Sequence, residues 1–301
     1  MFAEIDLATP ANDAVDWLLE HFDWLFDAVG SVATDVVDWI ESALTAPPAF
    51  VVIALLTAIP LLLRRWGIAL FAALAFTLVN EMQLWTETMQ SLAVVLVATA
   101  VAIAVGVPLG IWAARRRLVS IAVRPLLDLM QTTPPFVYLI PAVFFFGVGV
   151  VPGVVATAVF ALAPAVRLTE LGIRQVDREV VEAAHAFGAP PRRVLADVQL
   201  PLALPSIMAG INQVIMLALS MVVVAGLAGA EGLGAVVTSA VTQLDIGAGT
   251  EGGLAVVILA VYLDRVTGAL AAPGRTVLAG VRRRRGGAPA VVPTAVTAPV
   301  R

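Results

Sequence analysis

Apolar stretches long enough to cross a bilayer recur along this chain, and short clusters of arginine punctuate them. That alternation constrains the fold more than any single motif does. The hydrocarbon core of a bilayer demands about 20 mostly apolar residues per helical span. Candidate stretches lie at 47–63, 66–80, 91–113, 131–149, 153–168, 203–226 and 252–271. The first ends at Arg64-Arg65 and the third at Arg115-Arg116-Arg117. With 60% hydrophobic and 13% charged residues among 301, a soluble domain would leave too much apolar surface in water. The expected class is therefore all-α, a polytopic integral membrane protein with about seven transmembrane helices.

The connections carry the polarity. Residues 1–45 hold ten acidic residues and no arginine. Within them Trp17, Leu18, Trp24, Leu25, Val32, Val36, Trp39 and Ile40 recur at roughly helical spacing. This predicts one or two acidic amphipathic helices, lying on a membrane surface or on the rest of the protein. The opening "MFAEIDLATP" has neither a basic n-region nor an apolar h-region and is not expected to be a cleaved signal. A polar stretch, "NEMQLWTETMQ", follows the second span, and a short segment with Arg124 and Asp128 precedes the fourth. "GVGVVPG" reads as a tight turn into the fifth. The chain divides into an N-terminal segment (1–46), two accessory spans (47–84), a core (85–271) and an arginine-bearing tail expected to be disordered (272–301), with Arg282 to Arg285. With the N-terminus outside and seven crossings, every arginine falls on the cytoplasmic side, while 15 of the 22 acidic residues fall outside. The expected orientation is N-out and C-in, in the cell membrane.

Several function classes are excluded by what is missing. All 18 basic residues are arginine, so there is no lysine for a nucleotide-binding Walker A loop or for Schiff-base chemistry. There is no cysteine, and His21 and His185 have no second ligand at metal-binding spacing. The chain is expected to bind no cofactor and no metal, and not to be an enzyme itself; energised work would need a separate ATPase. Gly147-x-Gly149 and Gly232-x-Gly234 follow no predicted strand and read as turns and close-packing sites. Asp264-Arg265 reads as a structural anchor near the end of the seventh span. No ionisable residue lies deep in the third, fourth or sixth spans, which argues against an ion-coupled secondary transporter or channel.

One segment stands apart: "REVVEAAHAFGAPPRRVLADVQLPL", residues 178–202, is polar and sits between two spans. "EVVEAAHAF" is a good helix former, and Gly188 supplies the left-handed residue that helix C-termini use. Pro190 and Pro191 suit the first turn of a new helix that carries Arg192 and Arg193, and Pro201 marks the start of the next span. Two short helices at a fixed angle are expected, projecting into the cytoplasm. Glu182-Ala183-Ala184, three residues, Gly188, nine residues, then Val198, Gln199, Leu200 and Pro201 resembles the EAA signature of ABC importer permeases, with Val198 in place of the usual isoleucine. The resemblance implies a coupling loop, made of Glu182, Ala183, Ala184, Gly188, Pro190, Arg192, Leu200 and Pro201, that docks on a separate ATPase subunit. Glu182 is expected to steady the loop by pairing with an arginine of the loop or of the partner.

The resemblance extends over about 85–270. "MQTTPPFVYLIPAVFFFGVGVVPGVVATAVFALAPAVRLTELGIRQV", "QLPLALPSIMAGINQVIMLALSMVVVAG" and "VVILAVYLDRVTGAL" are similar to permeases for glycine betaine and proline betaine. It implies a type I ABC importer transmembrane fold, a homodimer of this subunit, two ATPases that hold ATP and Mg, and an extracytoplasmic solute-binding protein. No nucleic-acid partner is expected. The same architecture importing choline, carnitine or another small solute stays open. A zwitterion with a quaternary ammonium would suit aromatic faces and neutral polar groups along its path. Gln131, Thr132, Thr133, Phe136 and Tyr138 on the fourth span, and Asn212, Gln213 and Ser220 on the sixth, are the candidates; each also fits helix-to-helix bonding. The Phe144-Phe145-Phe146 run fits lipid or interface packing.

Overall fold

A computed structural model describes residues 8–270, in which every regular element is helical. The first seven residues and the 271–301 tail, with Arg282 to Arg285, lie outside the described residues. In order, the helices are α1 (Ala8–Thr45), α2 (Ala49–Leu62), α3 (Trp66–Glu81), α4 (Trp85–Arg115), α5 (Arg117–Thr132) and α6 (Pro135–Phe146). They continue with α7 (Val150–Arg174), α8 (Arg178–Ala186), α9 (Pro191–Arg193), a π-helical turn (Val194–Gln199), α10 (Leu200–Leu227), α11 (Leu233–Gln243) and α12 (Ile246–Leu270).

The core is α7 laid between α4 and α10. Small residues let the backbones approach. A Cβ added at Gly110 would meet the Val166 carbonyl at 2.6 Å, and one at Gly172 would meet Ser206 at 2.7 Å. Between membrane helices, where lipid is as apolar as leucine, such close packing replaces the hydrophobic drive. Gly106 faces Ala165 and Gly110 faces Thr169, so α4 and α7 run parallel; Gly172 faces Ser206 while Gly153 faces Ala225, so α10 runs back against them. α12 turns again and packs on α3, where Phe76 meets the Tyr262 ring edge-on at 5.0 Å. The Tyr262 hydroxyl donates to the Leu56 carbonyl of α2 at 2.9 Å, which fixes α2 on the same face.

Among the described residues, four helical stretches are long and apolar enough to cross a membrane: 85–115, 150–174, 191–227 and 246–270. The count reaches six when two bent pairs, α1–α2 and α5–α6, are each taken as one span. Two of the remaining expected spans are shorter than the hydropathy suggested, α2 with 14 residues and α6 with 12, while α3, with 16, matches the expected 66–80 closely. The expected span at 131–149 is corrected most. Thr133 is held extended by the proline after it, Pro134 and Pro135 open a new helix, and α5 meets α6 at 101°. The segment with Arg124 and Asp128, read as a short connection, is the 16-residue helix α5. The polar stretch before the third span is divided: Asn80 and Glu81 end α3, and from Trp85 on it forms the first turns of α4.

The N-terminal segment is a single acidic helix kinked at Phe22, and it packs on α4, α6 and α7. Val37 is buried among Ala93, Val94, Val97 and Ala158. Phe26 stacks on Phe145 at 4.6 Å and meets Phe146 edge-on, so two of the three phenylalanines pack against α1, while Phe144 stays exposed.

Candidate functional site

The polar loop lies at the end of the bundle where α4, α7 and α12 finish. Arg174 there donates to the carbonyl of Ala113 at 2.9 Å, and Arg65 and Arg265 line one cleft. The opposite end is acidic. Gln90 donates to Glu41 at 3.0 Å and to Glu231 at 2.7 Å, and a cavity of about 570 Å³ is lined by Glu87, Gln90, Glu231, Ser239, Gln243 and Asp245.

Asp177 starts α8, its carboxylate accepting the backbone N–H of Glu179 at 2.9 Å. This is the side-chain cap that the free N–H groups of a first turn need. The other end closes with two backbone bonds, Gly188 N–H to His185 at 2.9 Å and Ala189 N–H to Ala184 at 3.1 Å. That pair is the Schellman arrangement, and it sets Gly188 at φ +79°. Pro190 is extended and caps the next helix, and Pro191 occupies its first position. α8 has no buried residue. Glu182 and Ala183 are exposed and Ala184 is half-buried; Arg192, Arg193 and Pro190 are exposed. Phe187, an aromatic ring at the tip, is 93% exposed.

Two details depart from the expected pair of short helices. The second arm is not separate: α9, the π turn and α10 form one continuous helical stretch, Pro191–Leu227. Pro201 therefore sits inside that stretch, together with half-buried Leu200, and marks no boundary. Lacking an N–H, Pro201 cannot bond back to the preceding turn, and the helix widens there so that Leu200 N–H reaches the Leu195 carbonyl five residues earlier. Among the described residues, the Glu182 carboxylate has no ion-pair or hydrogen-bond partner. With Ala114, Arg174, Arg178 and Gln199 it lines a cavity of about 180 Å³ beneath the loop.

The path candidates are gathered in two places. Gln131, Thr132, Thr133, Phe136 and Tyr138 surround the α5–α6 bend. Thr132 and Thr133 donate to the Leu129 carbonyl at 3.1 and 2.8 Å. Tyr138 donates to the Met130 carbonyl at 2.7 Å, a brace across the bend. Phe136 is half exposed. On α10, Asn212 donates to Asp264 at 2.9 Å and accepts from Thr267 at 2.6 Å, which ties α10 to α12; Asp264 is also 3.9 Å from Arg265. Gln213 and Ser220 are exposed, and Ser220 donates back to Met216. None of these eight residues lines the cavities at the two ends.

Sequence reasoning missed three features: the Asp177 cap, the exposed Phe187 ring and a cluster around Glu170. Asp177 followed by Glu179 before a helical run was a readable start signal. Arg174 is four residues from Glu170, but its other two partners, Arg124 and Ser120, are 46 and 50 residues away, and no local pattern announces them.

Residues 106–272 match the family described as binding-protein-dependent transport system inner membrane component. The chain is 48% identical over 263 residues to the glycine betaine transport system permease protein OpuAB of Bacillus subtilis, covering 87% of this chain and 93% of that one. It is 43% identical over 272 residues to the glycine betaine/proline betaine transport system permease protein ProW of Escherichia coli, covering 90% of this chain and 77% of that one. An inward-facing structure of the methionine ABC transporter MetNI superposes with a TM-score of 0.56 at 20% identity, over 64% of this chain and 96% of that one, a likeness of fold. A helical bundle with several bilayer-length apolar helices, matched by this family over more than half its length, is a multi-pass membrane protein, and the chain belongs to the binding-protein-dependent transport system inner membrane components.

Proposed function

We propose that this chain is the permease subunit of an ATP-driven importer for glycine betaine and proline betaine-type compatible solutes. The observation that carries the reading is the projecting α8 loop: capped at both ends, fixed by Gly188 and two prolines, and without a buried residue. A loop that stiff and that bare is suited to being gripped by another protein. The partner is an ABC ATPase, which binds ATP and Mg; the chain itself is not an enzyme. Glu182, Ala183, Ala184, Gly188, Pro190 and Arg192 form the docking surface, and Leu200 and Pro201 join it to α10.

The arginine-rich end faces the cytoplasm, which places the N-terminal helix and the acidic cavity outside, where a solute-binding protein delivers its cargo. Two copies of the chain enclose one path. Gln131, Thr132, Thr133, Phe136, Tyr138, Gln213 and Ser220 line it, and Asn212 holds α10 in place beside it. The aromatic rings suit a quaternary ammonium, which has no N–H to donate. ATP-driven approach of the ATPases draws the two loops together and tilts the spans outward-facing; hydrolysis resets them.

The test is uptake. Vesicles holding the full complex and its binding protein accumulate radiolabelled glycine betaine only with ATP on the ATPase side. Accumulation driven by an ion gradient without ATP would contradict the reading.

A further inference from the structure

We propose that Glu170 is the positioning residue that transmits movement of the docking loop to the α5–α6 arm. The inference rests on the permease reading above and adds the mechanical link within the subunit.

Glu170 lies one turn before the end of α7 and is 6% exposed. A single carboxylate oxygen, Oε1, accepts from Ser120 Oγ at 2.7 Å and Arg124 Nη2 at 3.1 Å, and Arg174 Nε forms an ion pair with it at 3.0 Å. Ser120 and Arg124 belong to α5, and Arg174 to α7. Arg174 also donates through Nη2 to the Ala113 carbonyl in the last turn of α4. One buried oxygen thus joins α5 to α7, and the arginine beside it joins α7 to α4.

The other contacts between α5 and α7 cannot set the register. Leu127 and Met130 pack on Ala163 and Val166, an apolar contact without direction. The Arg167–Asp128 ion pair lies on the surface, where such pairs contribute little. The shared carboxylate is different: charge-assisted bonds from two α5 side chains to one oxygen on α7 fix the spacing and rotation of the two helices. A buried ionic cluster is a poor device for stability alone, because well-packed apolar residues serve equally well.

Position completes the argument. Only Gln175, Val176 and Asp177 separate the end of α7 from α8, and the Asp177 cap stiffens that link. On the other side, α5 leads to the bend that Tyr138 braces, and beyond it to α6. A push on α8 reaches α7, passes through Glu170 to α5, and moves the arm that carries Gln131, Phe136 and Tyr138.

The test measures solute taken up per ATP hydrolysed, with the full complex in vesicles and radiolabelled glycine betaine. Glu170→Gln keeps the shape and removes the charge; it should lower that ratio about tenfold, with hydrolysis within about twofold of the unaltered complex. Arg124→Gln alters an exposed side chain and should lower the ratio about threefold, which keeps the test available if Glu170→Gln fails to assemble. The double variant should be no worse than Glu170→Gln alone, because both act through one joint. A purely structural role would reduce assembled complex and hydrolysis together and leave the ratio unchanged. An unchanged ratio in both single variants, with a coupled unaltered complex, overturns the inference alone. Uptake by the unaltered complex without ATP overturns the permease reading and the inference with it.

Discussion

The arginine-rich end of the bundle holds its main loop out in the open, whereas the acidic end folds its loop back among the helices. Between α7 and α10 the chain projects α8, with no buried residue and Phe187 almost bare. Between α10 and α11 it does the reverse. Ala228, Ala230 and Leu233 are buried, Leu233 N–H donates to Ser91 Oγ at 2.8 Å, and Gly149 N–H donates to Ala228 at 3.0 Å. Both loops use left-handed glycines, Gly188 in one and Gly229 and Gly232 in the other. In the first, an added Cβ would meet nothing within 4 Å; in the second, one at Gly232 would meet Ser91 Oγ at 2.6 Å. The same residue type thus sets the shape of an isolated loop at one end and permits close packing at the other. A loop shaped by its own backbone leaves its outer surface free; a loop knitted into its neighbours closes the bundle.

Gly188→Val sharpens that contrast most. A β-branched residue at φ +79° is strained although there is room for it, so recovery of the ATPase on co-purification should fall by about tenfold or more. Gly188→Asn, which tolerates that conformation, should stay within about threefold. Equal losses from both would mean that space, not backbone angle, governs the loop. Phe187→Ala removes the exposed ring and should lower ATP-dependent uptake about fivefold, with the amount of permease in the membrane unchanged. Unaltered uptake would remove Phe187 from the docking surface. At the acidic end, Gln90→Leu breaks the tie between Glu41 and Glu231 and should cost under about 1 kcal/mol of stability, read as a lower midpoint of thermal unfolding in detergent. ATPase recovery should not change; a loss there would show that the two ends are not separable.

The shape of the α8 loop was legible in the sequence because its physics is local. Pro190 and Pro191 fix their own φ, and Gly188 admits the left-handed turn that other residues resist, whatever surrounds them. The continuity of the second arm was not legible. Pro201 suggests a boundary, yet proline is tolerated when the helix widens over Val194–Gln199. Hydropathy found the long spans but could not see the bend at Thr133, because apolar residues continue on both sides of it. It also passed over α11, an 11-residue helix too short to register as a span. The Glu170 and Asn212 clusters depend on residues about 50 positions apart, so they exist only once the helices have packed.

The chain has no cysteine, so single cysteines report their own surroundings. The most direct test places one at Phe187, at the tip of the docking loop, and another at Gln243, in the acidic cavity, and treats sealed vesicles with a maleimide that cannot cross the bilayer. Phe187→Cys should react only in inside-out vesicles and lose that reactivity when the ATPase is bound, while Gln243→Cys should react only in right-side-out vesicles. Labelling of both from one side, or full labelling of Phe187→Cys with the ATPase bound, would contradict the assignment of this loop as the docking surface.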